Sequence, residues 1–117
     1  MDSYVNLEKE VSKTYREELN LAKKPEEVRE AFVRAVERII SSICDKTFDF
    51  EEEVKFTPED NRIFSLGKIG SDPDVENALN NSDLKAILER FAEEAKNRYL
   101  HLIHDDDRTS MFKKHPV

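Results

Sequence analysis

The sequence predicts an all-α fold: a multihelical bundle of three long helices and two short connecting helices, with little or no β-structure. Three observations predict it. Apolar residues recur at spacings of three and four along three long stretches. Pro25, Pro58 and Pro73 are each followed at once by acidic residues, the order expected at a helix start. The 117 residues include only two glycines and four prolines, so little in the chain interrupts helices. Charged and hydrophobic residues each make up 38% of the chain, a polar mixture that would suggest disorder without this periodicity.

The first helix is expected from about Ser3 to Ala22, with Tyr4, Leu7, Val11, Tyr15, Leu19 and Ala22 on one side. Lys23 and Lys24 then place positive charge at its C-terminal end, where the helix dipole favours it. Pro25, Glu26 and Glu27 open the second helix. Its core face carries Val28, Ala31, Phe32, Ala35, Val36, Ile39 and Ile43, and Val33, Ile40 and Cys44 widen it. The apolar arc spans roughly 220° at 100° per residue. A helix with so wide an arc belongs at the centre of a bundle or in a subunit interface. Glu30 and Arg34 are spaced for an i,i+4 pair on its polar side.

Residues 45–56 alternate between two patterns. Phe48, Phe50, Val54 and Phe56 share a period of two, whereas Phe50 and Val54 also fit a helical pair. A single strand would have no partner elsewhere in the chain, so a connector is expected here. Thr57-Pro58-Glu59-Asp60 reads as the cap and first turn of a short helix that stops at Gly67. Ser71-Asp72-Pro73-Asp74 repeats that logic for a second short helix, closed at Asn80-Asn81. Ser82 caps a last long helix from Asp83 to about His104. The stretch 58–105 then resembles one interrupted helix. Residues 1–107 form a single domain in this reading, and 108–117 a flexible or loosely docked tail whose Met111 and Phe112 can fold back.

The charge of −7 disfavours direct binding to nucleic acid, which needs a dense basic face. The acidity is local: residues 45–60 hold 7 acids and 2 bases, a sum of −5. A single cysteine excludes an internal disulfide and suits a reducing, cytoplasmic setting. The N-terminal residues lack the apolar core of a signal peptide, and no run approaches the ~20 apolar residues of a membrane span. The absence of Gln beside abundant Glu, Lys and Arg leans towards a thermophilic source, against which stand seven Asn.

The sharpest chemical pattern is His101, His104 and Asp105. Histidines at i,i+3 can face one metal ion, and carboxylates suit divalent cations. The His104-Asp105 dipeptide is similar to that of HD-type phosphohydrolases, which need further His and Asp ligands from several helices; here the remaining histidine is His115. On a helical wheel both His101 and His104 turn away from the apolar face, so a solvated helix end is the competing reading. Glu51-Glu52-Glu53 with Glu59 and Asp60 lacks calcium-loop spacing and reads as an exposed acidic connector. Cys44 lacks the nearby histidine of an activated nucleophile and reads as a small buried apolar residue. Gly67-Lys68-Ile69-Gly70-Ser71 has neither the spacing nor the preceding strand of a phosphate loop.

No cofactor is implied and no catalytic constellation stands out. The expected function is therefore protein–protein interaction, with self-association into a homodimer through Val33, Ile40 and Ile43. The alternative is a divalent-metal-binding protein or metal-dependent phosphoester hydrolase using His101, His104 and Asp105. A weaker alternative is a small helical subunit of a nucleoprotein complex that contacts protein more than nucleic acid.

Overall fold

Two long helices form an antiparallel hairpin, and a third packs beside both. In this computed structural model, the backbone of residues 3–114 and the side chains of residues 3–104 are described. The elements are α1 (Val5–Leu21), α2 (Pro25–Ile43), the single turn α3 (Phe50–Glu53), β1 (Lys55–Phe56), β2 (Phe64–Ser65), a 3-10 turn (Gly67–Ser71), α4 (Pro73–Asn81) and α5 (Leu84–Lys114). The architecture is all-α and multihelical, with one two-stranded antiparallel ribbon pairing Phe56 with Phe64.

α1 and α5 run in the same direction, as a ladder of polar contacts shows. The Asp83 carboxylate accepts from the Tyr4 backbone N–H at 2.9 Å. Arg90 makes two 2.8 Å bonds to Glu8, Arg16 reaches Glu94 at 3.1 Å, and Arg98 donates to the carbonyls of Asn20 and Ala22 at 3.1 and 2.9 Å. These contacts also complete α1. Asp83 serves one of its first N–H groups, and Arg98 serves carbonyls at its last turn. Between them Tyr15 is fully buried, its ring stacked on Phe91 at 4.8 Å and its hydroxyl donating to the Phe91 carbonyl at 2.6 Å.

α2 starts where Pro25 predicts. The Glu27 carboxylate turns back to accept from the Lys23 and Lys24 N–H groups at 2.8 and 3.1 Å, so the chain entering the helix is tied to its first turn. Its wide apolar arc is consumed within one chain. α1 covers one side, α5 another, and Phe56 and Phe64 of the ribbon each lie 5.5 Å from the Phe32 ring. Val33 and Ile40, expected at a subunit contact, are 2% and 0% exposed. They are core residues of the single chain and offer no surface to a second copy; Ile43 is half-buried against the same core. The expected Glu30–Arg34 pair gives way to a tertiary one. Glu18 of α1 takes Arg34 at 2.6 Å and Arg38 at 2.9 Å, from successive turns of α2.

The segment 55–66 differs from expectation. Thr57-Pro58-Glu59-Asp60 does not begin a helix; it turns the ribbon. The Asp60 N–H donates to the Thr57 carbonyl at 3.1 Å, and Thr57 closes the loop by donating its N–H to Ile63 and its hydroxyl to Arg62 at 2.6 and 2.7 Å. The fixed φ of proline suits the second position of a β-turn as well as the first of a helix. The period-two apolar residues decide between them, because Phe56 acquires a partner strand in Phe64. Gly67 does not stop a helix. At φ +55° it starts the 3-10 turn, and a Cβ there would stand 2.5 Å from Glu53 Oε1. Glu53 uses that oxygen to accept from the Lys68 N–H at 2.9 Å.

α4 and α5 are the two parts of the interrupted helix. Ser82 ends one and starts the other: its hydroxyl donates to the Ala78 carbonyl and accepts from the Leu84 N–H. α5 continues to Lys114, beyond the expected end at His104, since neither glycine nor proline occurs between Leu84 and His115. The side chains of Met111 and Phe112 lie outside the described residues. No helix among the described residues is long and apolar enough to cross a membrane.

Candidate functional site

Among the described residues, the richest grouping of chemical side chains lies at the end of the bundle where α2 finishes and α4 begins. α2 stops as the backbone becomes extended at Cys44 (φ −140°, ψ 134°), whose N–H still donates to the Ile40 carbonyl at 3.0 Å. Cys44 is the last residue of the apolar stripe. Its side chain therefore stays inside, 6% exposed, and Sγ makes no hydrogen bond among the described residues.

Asp72 reaches the same place as the cap of α4. Its Oδ2 accepts from the Asp74 and Val75 N–H groups at 3.0 and 3.3 Å, which fixes the carboxylate at the positive end of the helix. Asp74 stands in the first turn of α4. One ligand atom from each of Cys44, Asp72 and Asp74 falls within 4.8 Å of the other two. Lys46, on the connector after α2, bridges the carboxylates at 2.7 Å to Asp72 and 3.1 Å to Asp74.

The electrostatics follow from these contacts. The Lys46 ammonium holds the Asp72 carboxyl below its ordinary range, opposed by desolvation and reinforced by the helix N–H groups. Hydrogen bonds to Asp72 and then Asp74 hold the Lys46 ammonium above its ordinary value. The Asp72 carboxyl, held low in this way, cannot act as a general acid near neutrality. A cleft of about 430 Å³ opens beside the group, lined by Tyr4, Cys44, Asp45, Asp74, Asn77 and Asn81 among others, with no histidine. A thiol here thus has no imidazole to take its proton, and the set suits binding rather than nucleophilic catalysis.

The residues singled out in the sequence are placed elsewhere. His101 and His104 are exposed on α5, and His101 lies about 25 Å along the helix from Leu84 at 1.5 Å per residue. The described residues bring no third metal ligand to them; the Asp105 side chain lies outside those residues. The acidic cluster is spread over structural tasks. Glu51 pairs with Arg29 at 3.1 Å, Glu53 serves the Lys68 N–H, and Glu59 accepts from the Tyr99 hydroxyl at 3.2 Å.

Cys44 reads from the sequence as buried and Asp72 as part of a helix start. Nothing in the local pattern brings the two together. The one available signal was positional: a residue closing an apolar stripe and a residue capping a helix both belong at an end of the bundle. Comparison with protein-family models, with curated proteins and with solved structures finds no match to this chain.

Proposed function

We propose that this protein acts through protein–protein contact, by pairing with a second copy along the outer half of α5. The observation that carries this is the apolar surface left where the bundle ends. α1 finishes at Leu21 and meets α5 last at Arg98; the ribbon turn meets it at Tyr99. Tyr99 and Leu102 turn back against the core, whereas the half-buried Leu100 and Ile103 are not part of it. Leu100 is two residues from Leu102, a rotation of roughly 200°, so it faces the other side of the helix.

A second copy is the occupant that the charge order favours. Asp105, Asp106 and Asp107 are followed by Arg108, Lys113 and Lys114. An order of acids before bases is one that a copy running in the opposite direction complements, the self-complementary pattern of a two-fold contact. The expected interface at Val33 and Ile40 has no part in this proposal, because both lie in the core.

Sedimentation velocity at micromolar concentrations tests it. The native chain should sediment as a dimer, and Leu100→Glu with Ile103→Glu as a monomer of unchanged helix content. Leu21→Glu, at a residue 74% exposed on a different helix, should remain dimeric. A native chain that stays monomeric up to high micromolar concentration would overturn the proposal.

A further inference from the structure

Beyond self-association, we propose that Cys44, Asp72 and Asp74 form a binding site for a thiophilic divalent cation of the zinc type. Two independent features point to it. The first is convergence: a sulfur from the end of α2 and two carboxylate oxygens from the start of α4 lie within 4.8 Å of one another. In a tetrahedral zinc site, with Zn–S about 2.3 Å and Zn–O about 2.0–2.2 Å, neighbouring ligand atoms sit roughly 3.3–3.6 Å apart. A closure of up to about 1.5 Å, within the reach of side-chain rotation for the exposed Asp74, completes the geometry.

The second feature is the thiol itself. Cys44 is more than nine-tenths buried, its Sγ makes no hydrogen bond among the described residues, and it lines the cleft together with Asp74. An apolar role alone does not require that its sulfur face this polar cleft. The thiol places soft-donor chemistry beside two hard donors, a set that selects zinc over magnesium or calcium. The cleft supplies room for water as a fourth ligand.

Asp72 is already arranged for the task. Its Oδ2 is engaged by two helix N–H groups, which leaves Oδ1 to the cation. Carboxylate ligands are oriented in this way by hydrogen bonds to their second oxygen. The competitor is Lys46, which holds Oδ1 of Asp72 and Oδ2 of Asp74 and is 44% exposed. Its ion pairs are solvent-screened and give little resistance to displacement. Binding transfers the Cys44 proton to buffer, forms the metal–sulfur bond and releases the Lys46 ammonium to water, so uptake is accompanied by proton release.

Cobalt(II), titrated into the untagged native protein, should give a thiolate-to-cobalt charge-transfer band that saturates at one equivalent and is bleached by zinc. Cys44→Ser should abolish the band. Asp74→Asn, at a mostly exposed position, should weaken zinc binding at least tenfold without lowering the melting temperature of the metal-free protein. Lys46→Met should tighten it by removing the competing cation, an effect that a purely structural salt bridge does not predict. Absence of the band in the folded native protein overturns the site. So does zinc binding that survives Cys44→Ser, or affinity that falls in Lys46→Met. The first of these results is independent of the dimer, which sedimentation reads separately.

Discussion

Tyr15 carries a hydroxyl into the middle of the bundle, and the cost is met by one bond to the Phe91 carbonyl. Burial first, then the charges of Glu94 and Glu18, push its ionisation well above the ordinary value of 10.0. The unfolded chain therefore releases this proton before the folded one does. The stability from Tyr15 is complete below pH 10 and declines as pH rises beyond it. Tyr15→Phe should cost about 1 kcal/mol at neutral pH, the net worth of one hydrogen bond, and should flatten the alkaline decline. Urea denaturation on both sides of pH 10 checks it; equal slopes for the two proteins would contradict the assignment. Gly67 is the second residue with a specific demand. Gly67→Ala meets both a positive φ and the Glu53 carboxylate, and should destabilise by about 1–3 kcal/mol. Gly70→Ala is the contrast, since its added carbon meets only Leu66 Cβ at 3.5 Å. It should leave the urea midpoint nearly unchanged or raise it.

Helix pairing depends on partners that local sequence does not reveal. Glu18 illustrates this. Desolvation raises its pKa, but the hydrogen bonds and charges of Arg38 and Arg34 outweigh it, and the carboxyl is held below its ordinary 4.5. The α1–α2 clamp therefore contributes in full above pH 4.5 and is lost as pH falls through the lower, folded-state value. Glu18→Gln should melt lower than the native protein at neutral pH, and the gap should narrow in acid. A gap of constant size across the acid range would assign the effect to packing instead. The amphipathic stripes of α1, α2 and α5 were legible because a stripe is a property of each segment by itself. The ribbon was not. Thr57-Pro58-Glu59-Asp60 satisfies both a helix start and a β-turn, and only the contact of Phe56 and Phe64 with Phe32 selects the turn. The candidate site was illegible for the same reason. Cys44 reads correctly as buried and Asp72 as a cap, but their meeting depends on how the connector after α2 returns to α4.

The whole molecule measures 58 × 26 × 22 Å with a radius of gyration of 16.2 Å. A compact chain of this length would have a radius of about 13 Å. The excess follows from α5, whose 31 residues extend about 46 Å at 1.5 Å each. Its first half is held by α1, α2 and α4, and the core cluster with its partly buried neighbours draws on residues between Tyr4 and Leu102. On the proposal of self-association, folding and association belong to different parts of one helix. A chain ending at His104 keeps this core and both ends of α1 tied to α5, so its thermal midpoint should stay within a few degrees of the native value. It loses the acidic and basic residues whose order favours an antiparallel pair, and should dimerise more weakly or not at all. Melting curves and sedimentation on the same shortened protein read the two properties separately. A large drop in the midpoint would make the end of α5 part of the folding unit. An unchanged dimer would confine the contact to the apolar residues Leu100 and Ile103, and the charge order would have no role in choosing the partner.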